Sequence, residues 1–282
     1  STAIEHKAVL EPLAHLGSRG FEVTLIRPCS SGRVDPDELL AAVRPDTLLV
    51  SIMHGNNETG ALQPIGEVAA GLGDDKIVLH VDAAQTFGRE TDALKDRRID
   101  LISVSGHKIF GPKGVGALIV RRRGGRRVPL APLMFGGGQE RGLRPGTLPT
   151  PLIAGFGLAA ELAERERSHR LSRCLAIRND ALMALSKLGP VIHAESGPVL
   201  PNILSFAIPG VDSEALMVAS NDLVAISNGS ACTSSHYAPS HVLTAMGLDE
   251  EIVQGTVRLS WSHLTPPVPW DAFAARLEDL RF

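Results

Sequence analysis

Short apolar strands alternate with helical segments through the first half of the sequence, and this alternation constrains the fold more than any other feature. Apolar runs over 47–53, 78–82 and 99–104 predict strands, and patterns over 36–43 and 65–72 predict helices. Strand–helix alternation with short links predicts an α/β domain whose sheet is mainly parallel. Ligands of such sheets bind beyond the carboxyl ends of the strands, so polar residues at those ends are the first candidates for function.

The regions on either side of this core predict further elements. A helix is predicted over His6–Arg19 and a strand over Phe21–Ile26, while a long helical stretch runs from Leu152 to about Leu188. Beyond it lie further predicted strands, at 202–208, 224–227 and 256–260. We predict two domains: residues 1–167 form a large α/β domain, and residues 168–282 form a smaller C-terminal α+β domain.

A lysine follows one of the predicted strands directly, in Ser105-Gly106-His107-Lys108. Lysine is rarely buried unless its charge is compensated, and a covalent bond to a cofactor aldehyde would remove that charge. Considered alone, Lys108 is better explained as a strand-end lysine whose amine reaches water. Asp82 ends a neighbouring strand, where it could keep a pyridine nitrogen protonated or simply cap a turn. Together, the two residues match the pairing that pyridoxal phosphate requires.

Five more residues near predicted strand or helix ends could contact such a cofactor. Gln85 could donate to the phenolic oxygen of the ring, and Ser105 and His107 could donate to a phosphate. His6 could stack on the ring and exchange protons, and Asn57 could donate to the ring oxygen or to a substrate carboxylate. Each has an ordinary alternative as a turn or helix-start residue. Although the chain has ten histidines, no pair has the ligand spacing of a zinc site, so we predict no metal.

The second half of the chain contributes a cysteine and an arginine. Cys232 lies in a run of small and polar residues, 227–235, which predicts an exposed loop. Structural cysteines are usually buried, so this setting favours a reactive thiol. Cys29 and Cys174 have no comparable setting. Arg258, in the last predicted strand, could bind a substrate carboxylate through two parallel hydrogen bonds.

Composition and charge narrow the class of protein. The 282-residue chain has a formal net charge of −3, so no global field draws it to nucleic acid or to a membrane surface. The basic run Arg121–Arg127 is explained by a solvated turn, or alternatively by an acidic partner or nucleic acid nearby. There is no signal-peptide pattern and no apolar stretch near the ~20 residues that span a bilayer. Three widely spaced cysteines make no disulfide framework, so we predict a cytoplasmic protein.

Several motifs together resemble those of the cysteine desulfurases of the NifS/IscS type, which are pyridoxal-phosphate enzymes of the aspartate-aminotransferase fold, known as fold type I. The resemblance covers nearly the whole chain. The motifs that carry it are Glu5-His6-Lys7-Ala8-Val9, Ser51-Ile52-Met53-His54, Asn56-Asn57-Glu58, His80-Val81-Asp82-Ala83, Ser105-Gly106-His107-Lys108, Gly111-Pro112-Lys113-Gly114, Gly136-Gly137-Gly138 and Gly229-Ser230-Ala231-Cys232.

The resemblance implies a role for each candidate residue. Lys108 would hold pyridoxal 5'-phosphate covalently, and the cysteine motif resembles the subgroup with a long loop, in which Cys232 takes sulfur from L-cysteine as a persulfide and passes it to an acceptor protein. Asp82 would pair with the pyridine nitrogen, Gln85 and Asn57 would contact the ring oxygen and the substrate, and His6 would stack on the ring. Ser105 and His107 would bind the phosphate, and Thr147 would reach the phosphate held by the other subunit. Arg258 would bind the carboxylate of the substrate.

These roles imply a homodimeric cysteine desulfurase that feeds iron–sulfur assembly, tRNA thiolation or DNA phosphorothioation. Two alternatives stay open: another enzyme of the same fold, such as a selenocysteine lyase or an aminotransferase, and a non-catalytic sulfur-relay protein. The family has a preceding segment with a Gly-Ala-Thr-Glu phosphate turn that this sequence does not contain. Gln139, Pro145 and Ser260-Trp261-Ser262-His263 depart from the family pattern, and we expect these departures at the rim of the site or at the dimer contact.

Overall fold

The structure is a computed structural model that describes residues 1–73, 76–123, 125–228 and 239–281. The α-helices of the described residues are α1 (Lys7–Ser18), α2 (Pro36–Ala41), α3 (Ile65–Gly71), α4 (Thr150–Arg165), α5 (Arg167–Leu185), α6 (Ser213–Ala219), α7 (His241–Ala245), α8 (Glu250–Gly255) and α9 (Trp270–Asp279). The strands are β1 (Leu49–Met53), β2 (Val78–Asp82), β3 (Leu101–Ser105), β4 (Gly116–Val120), β5 (Arg122–Arg123), β6 (Arg126–Arg127), β7 (Val191–Ile192), β8 (Ile203–Ala207), β9 (Ser227–Asn228) and β10 (Thr256–Ser260).

The chain divides into two compact units. The central unit comprises Arg44–Ser51 and Ile65–Arg167, and the terminal unit comprises Ser1–Val43, Ile52–Pro64 and Ser168–Phe282. One boundary falls between residues 167 and 168, where the sequence predicts a change of domain. The predicted division into residues 1–167 and 168–282 stays a prediction. The terminal unit also contains two segments from the N-terminal part of the chain, Ser1–Val43 and Ile52–Pro64.

The central unit is built on a four-stranded sheet with the order β1-β2-β3-β4. Strands β2 and β3 are parallel, and β4 runs antiparallel to β3 at one edge. The Val78 amide donates to the Leu48 carbonyl at 2.9 Å, and Ser51 Oγ lies 2.8 Å from His80 Nδ1. These contacts advance in the same direction along β1 and β2, as in a parallel pair. The sheet is therefore mainly parallel, which confirms the predicted α/β class.

Two glycines make the connection from β3 to β4 possible. A Cβ atom added to Gly106 would lie 2.9 Å from the Val115 carbonyl oxygen, and one added to Gly116 would lie 2.6 Å from that of Val104. Such contacts are too close for a side chain, so the backbones meet only because both positions are glycine. This close approach fixes the short 3₁₀ turn Gly106–Ile109 directly at the end of β3.

The terminal unit is built on an antiparallel sheet with the order β7-β8-β10-β9. Helices α5, α6 and α9 contribute to one apolar core with this sheet, and its buried residues include Leu185, Phe206, Leu216, Val257 and Phe273. Trp261 belongs to that core, and its indole N–H donates to the Cys174 carbonyl at 3.0 Å. Burial and this hydrogen bond give Trp261 a packing role in its own unit. The expectation that the segment 260–263 lies at the rim of the site or at the dimer contact stays a prediction.

The predicted strand over Phe21–Ile26 is also wrong. Only Ile26 forms a β-bridge, to Thr2, and Phe21 and Leu25 remain exposed. A strand requires a continuous partner, and the described residues offer this segment a single bridge instead. The long helical stretch predicted from Leu152 is two helices, α4 and α5, which meet at Glu166.

Buried histidines make the terminal unit sensitive to acid. His193 is buried, and its Nε2 atom lies 2.8 Å from Thr256 Oγ1. Burial lowers the pKa of His193 from 6.5 to about 4, and it does the same for His54. The folded state therefore keeps both rings neutral at a pH where the unfolded chain takes up protons. Each ring's contribution is complete above pH 6.5 and is lost as the pH falls towards 4.

We expect His193→Gln to reduce the acid sensitivity of folding. Between pH 7 and pH 4 the free energy of unfolding of the variant should fall less than that of the wild type, by up to about 3 kcal/mol. Glutamine does not titrate and can still bond to the Thr256 hydroxyl. Urea unfolding at several pH values measures the effect, with the exposed His15→Gln as the control. Identical pH profiles for the wild type and His193→Gln would contradict the assignment.

No helix within the described ranges is long and apolar enough to cross a membrane. In the same ranges, histidine, cysteine, aspartate and glutamate nowhere form a group of three or more that could hold a metal ion.

Candidate active site

The central sheet has one polar face, and the candidate residues of β2 and β3 lie on it. Along β2, His80 and Asp82 are half-buried, whereas Leu79 and Val81 are fully buried. Strand β3 continues this pattern with half-buried serines at 103 and 105 and buried apolar residues at 102 and 104. Successive side chains of a strand point to opposite faces, so the four polar residues share one face.

A chain of hydrogen bonds crosses this face through His80. Its Nδ1 atom lies 2.8 Å from Ser51 Oγ on β1, and its Nε2 atom lies 2.8 Å from Ser103 Oγ on β3. Burial lowers the pKa of His80, although the negative charge of Asp82 opposes that shift. A neutral imidazole donates through one nitrogen and accepts through the other, so the ring links three neighbouring strands. Sequence reasoning gave His80 no role, although its position two residues before Asp82 places it on the same face.

Asp82 is held at the end of β2 by the turn that follows it. One carboxylate oxygen, Oδ1, accepts the Ala84 amide at 2.9 Å, so the side chain has the geometry of an Asx turn. Gln85 lies in the same turn and is half-buried. The turn reading and the cofactor reading of Asp82 are therefore compatible, because a carboxylate has lone pairs left after accepting one hydrogen bond.

The turn after β3 places the other candidates of the central unit in consecutive positions. Ser105 Oγ lies 3.0 Å from His107 Nδ1, so the two predicted phosphate donors form a hydrogen-bonded pair. His107 is exposed, while Lys108 is half-buried in the 3₁₀ turn. Phe110 ends the turn in the left-handed conformation, with φ of 69°. Ser105, His107 and Lys108 thus lie within four consecutive positions at the end of β3, and of the three His107 is the exposed one.

These groups fit pyridoxal phosphate by their chemistry. The cofactor presents a pyridine nitrogen, a phosphate and an aldehyde, which require respectively a carboxylate, neutral or cationic donors and an amine. Asp82 supplies the first, Ser105 and His107 supply the second, and Lys108 supplies the third. All four come from β2, β3 and the turn that follows β3, and their positions at strand ends match the rule for α/β sheets.

Thr147 lies on an exposed segment of the central unit. Its neighbour Gly146 has φ of 102°, and the Gly146 amide donates to Gln139 Oε1 at 3.0 Å. Gln139, which departs from the family pattern, therefore organises the loop that carries Thr147. The predicted contact between Thr147 and the phosphate of another subunit stays a prediction.

His6, in the terminal unit, is the N-cap residue of α1. Its Nδ1 atom accepts the Ala8 amide at 3.1 Å, and the side chain is exposed. An accepting Nδ1 places the proton of the neutral ring on Nε2. The helix-start alternative therefore accounts for Nδ1 of His6, which caps α1. The cap does not use Nε2, which remains the candidate for proton exchange.

The two asparagines of Asn56-Asn57 have different structural roles. Asn56 is buried and organises the turn, because its Oδ1 atom accepts the amides of Glu58 and Thr59 at 2.8 and 2.9 Å. Asn57 is half-buried, and its carbonyl accepts Arg258 Nη1 at 2.9 Å. The turn reading thus fits Asn56, which leaves Asn57 as the candidate of the pair.

Arg258 retains donor capacity for an anion. It lies on β10, is half-buried, and its Nε atom has no hydrogen-bond partner among the residues that the structure describes. A buried donor without a partner is costly unless a ligand satisfies it. This observation supports an anionic ligand at Arg258.

Sequence reasoning missed a buried carboxylate beside this arginine. Glu58 accepts a hydrogen bond from the Ser240 hydroxyl, 182 positions later in the chain. Burial raises the pKa of Glu58, while the Ser240 bond and the positive charges of His241, Arg258 and Lys7 oppose that shift. The hydrogen bond between Glu58 and Ser240 connects the segment that carries Asn57 to the segment that begins at residue 239. No local pattern in the sequence indicates such a distant pair.

Cys232 lies outside the described residues. Of the other two cysteines, Cys174 is buried and Cys29 is exposed. Cys29 Sγ lies 2.9 Å from Ser31 Oγ, and this hydrogen bond holds the pKa of the Cys29 thiol below its usual value. Cys29 therefore has more thiolate character than its sequence setting indicated, and it has to be tested beside Cys232.

A family profile and several relatives match this chain. The profile of the aminotransferase class-V family matches residues 1–266. The chain is 45% identical over 262 residues to the cysteine desulfurase IscS of Vibrio campbellii, which covers 93% of this chain and 64% of that protein. It is 42% identical over 267 residues to a cysteine desulfurase of Pongo abelii, covering 94% of this chain and 58% of the relative.

Solved structures of similar proteins share the fold. The crystal structure of DndA from Streptomyces lividans matches with a TM-score of 0.82 at 46% identity, over 93% of this chain and 74% of that one. A NifS-like protein matches with a TM-score of 0.86 at 37% identity, over 99% and 73% of the two chains. SspA in complex with cysteine matches with a TM-score of 0.77 at 37% identity, over 92% and 72%.

This chain belongs to the aminotransferase class-V family and has the α/β architecture of fold-type-I pyridoxal-phosphate enzymes. Within that family, the relatives named above that it resembles at 42–45% identity are cysteine desulfurases. The chain spans less than two thirds of the length of these relatives, 64% for the V. campbellii protein.

Proposed function

We propose that this protein is a pyridoxal-phosphate-dependent cysteine desulfurase, which converts L-cysteine to L-alanine and transfers the sulfur to an acceptor protein. The observation that carries the proposal is the set of Asp82, Ser105, His107 and Lys108 at adjacent strand ends of the central sheet. Similarity to named cysteine desulfurases supports the reaction, and a relative solved with cysteine, SspA, supports L-cysteine as the substrate.

Residues of the central unit would hold the cofactor. Lys108 would bond to its aldehyde, Asp82 would keep its pyridine nitrogen protonated, and Ser105 and His107 would donate to its phosphate. Gln85 would donate to the ring oxygen. When bound, pyridoxal phosphate withdraws electrons from the Cα atom of the amino acid, and Lys108 can then move the Cα proton.

Residues of the terminal unit would act on the substrate and on the ring. The guanidinium group of Arg258 suits a carboxylate, which would satisfy the Nε atom for which the described part of the chain offers no partner. Asn57 would contact the ring oxygen or the substrate. His6 would stack on the ring and exchange a proton through the nitrogen that α1 does not use.

Cys232 would carry the sulfur. Its thiolate would attack the sulfur of the substrate, forming an S–S bond as the C–S bond breaks. The electron pair of the C–S bond stays on the carbon fragment, which takes up a proton and leaves as L-alanine. One L-cysteine and one enzyme thiol thus give one L-alanine and one persulfide, and no external oxidant or reductant is required.

We further propose a homodimer. The central unit exposes a contiguous apolar stretch, in which Leu133 is 95% exposed, Met134 58% and Phe135 87%. Side chains of this size are rarely exposed together unless a partner covers them. The exposed Thr147 lies on a nearby stretch of the same unit, which supports its predicted contact with the other subunit. A cytoplasmic location stays a prediction from the sequence, and so does an acceptor in iron–sulfur assembly, tRNA thiolation or DNA phosphorothioation.

The direct test is to give the full-length protein pyridoxal phosphate and L-cysteine and to measure alanine and protein-bound persulfide. We expect a visible absorption band for the bound cofactor and alanine in step with the sulfur released by a thiol reductant. A keto acid formed in place of alanine would instead indicate an aminotransferase. Alanine from L-selenocysteine but not from L-cysteine would indicate a selenocysteine lyase. Failure to bind the cofactor would support the non-catalytic alternative.

A further inference from the structure

Arg89 joins two segments of the central unit that carry candidate residues. Its Nη1 atom donates to the Gln85 carbonyl at 3.0 Å, and its Nη2 atom donates to the Lys108 carbonyl at 2.7 Å. The two carbonyls are 23 positions apart in the sequence, and the side chain of Arg89 is half-buried. We propose that Arg89 is a positioning residue, whose guanidinium group fixes the Asp82–Gln85 turn relative to Lys108. This inference rests on the function proposed above.

The geometry suits a guanidinium group in particular. Its N–H donors lie in one rigid plane, so two nitrogens can reach two carbonyls without a change of rotamer. Hydrogen bonds from a charged donor are about twice as strong as neutral ones, and the bond to Lys108 is short. Since each carbonyl belongs to a planar peptide, fixing its oxygen also fixes the orientation of the peptide that leaves Lys108.

Apolar contacts hold the same two segments together from a second direction. Gly88 has φ of 76°, and a Cβ atom there would lie 3.0 Å from Ile109 Cγ2 and 2.9 Å from Ala163 Cβ. Phe87 packs on the cluster around Ile109 and lies 6.2 Å from the ring of Phe156. The residues that precede Arg89 and the residue that follows Lys108 are therefore closely packed, so loss of Arg89 should shift the lysine without unfolding the turn.

The consequence would be a loss of catalytic rate rather than of substrate affinity. Lys108 is the proposed group that moves the Cα proton, and Gln85 the proposed donor to the ring oxygen. Misplacement of reacting groups by about 1 Å can reduce a rate by roughly 10²-fold. Substrate affinity depends on Arg258, which belongs to the other unit and should be unaffected.

The test compares Arg89→Met and Arg89→Lys with the exposed Arg97→Met as the control. In the full-length holoenzyme we expect Arg89→Met to reduce kcat for alanine formation by about 10-fold to 10²-fold, with an almost unchanged KM. Arg89→Lys should recover only part of the rate, because its single nitrogen replaces the two nitrogens through which Arg89 binds the carbonyls. Arg97→Met should match the wild type. The pH at which the visible band of the bound cofactor changes should shift in the two Arg89 variants only.

Hydrogen exchange separates this inference from the proposed function. Backbone amides in 106–109 should exchange faster in Arg89→Met than in the wild type, even without substrate. A wild type that makes no alanine would contradict the proposed function. The exchange result would then still test whether Arg89 holds the Lys108 segment in place. A kcat of Arg89→Met within twofold of the wild type, in a wild type that is active, would overturn the inference. So would a loss of cofactor occupancy or stability alone, with kcat per bound cofactor unchanged.

Discussion

Replacing Lys108 with alanine is expected to abolish alanine formation from L-cysteine and to remove the visible absorption band of the bound cofactor. Two functions are lost at once in the proposed mechanism, because the same amine bonds to the cofactor aldehyde and moves the Cα proton. The loss of proton transfer alone is worth roughly 10²–10⁴-fold in rate. Absorption spectra and single-turnover assays of the purified holoenzyme measure the two effects separately.

Lys113→Ala is the matched control for this prediction. Lys113 is exposed, lies five positions from Lys108 and belongs to the same connection between β3 and β4. The control should retain both the absorption band and the activity of the wild type. A Lys108→Ala protein that keeps the wild-type band and rate would exclude this lysine from the mechanism. Loss of both in Lys113→Ala would show that the cofactor-binding amine was assigned to the wrong residue.

The sequence allowed the polar strand ends to be predicted, because they follow from local rules. Asp82 and Ser105 each close an apolar run, and the carboxyl ends of parallel strands form the binding edge of an α/β sheet. The apolar runs of β2 and β3 are visible in the sequence, and the fold gives both strands neighbours in the sheet. The predicted strand at Phe21–Ile26 failed because the described residues pair it through one bridge only, between Ile26 and Thr2, and a single sequence does not show which partner a segment will find.

Contacts between distant residues could not be predicted from one sequence. The Glu58–Ser240 pair joins positions 182 apart, and no periodic pattern connects them. Arg89 is similar: its charge indicates a solvated side chain, and only the fold shows that two carbonyls lie within its reach. His80 is an intermediate case, since the spacing of His80 and Asp82 predicts a shared face but not the bonds to the neighbouring strands.

Cys232→Ser is expected to eliminate the enzyme-bound persulfide while the cofactor remains bound. Serine keeps the size of the side chain but lacks a nucleophilic sulfur, so the C–S bond of L-cysteine has no protein thiol to receive its sulfur. Alanine formation should fall by at least about 10²-fold, as expected for loss of a nucleophile. The visible absorption band should persist on mixing with L-cysteine. This outcome distinguishes Cys232 from Lys108, whose removal eliminates both signals.

Cys29→Ser is the decisive control, because the structure makes Cys29 the strongest rival for the sulfur-accepting thiol. It is exposed and its pKa is lowered by the hydrogen bond with Ser31. If thiolate character alone selected the nucleophile, Cys29→Ser would lose the persulfide and Cys232→Ser would retain it. We expect the opposite, since Cys232 lies in the segment that resembles the sulfur-carrying loop of the desulfurases. Mass spectrometry of the persulfide-bearing peptide after a single turnover identifies the residue directly, and a label on Cys29 would overturn the assignment.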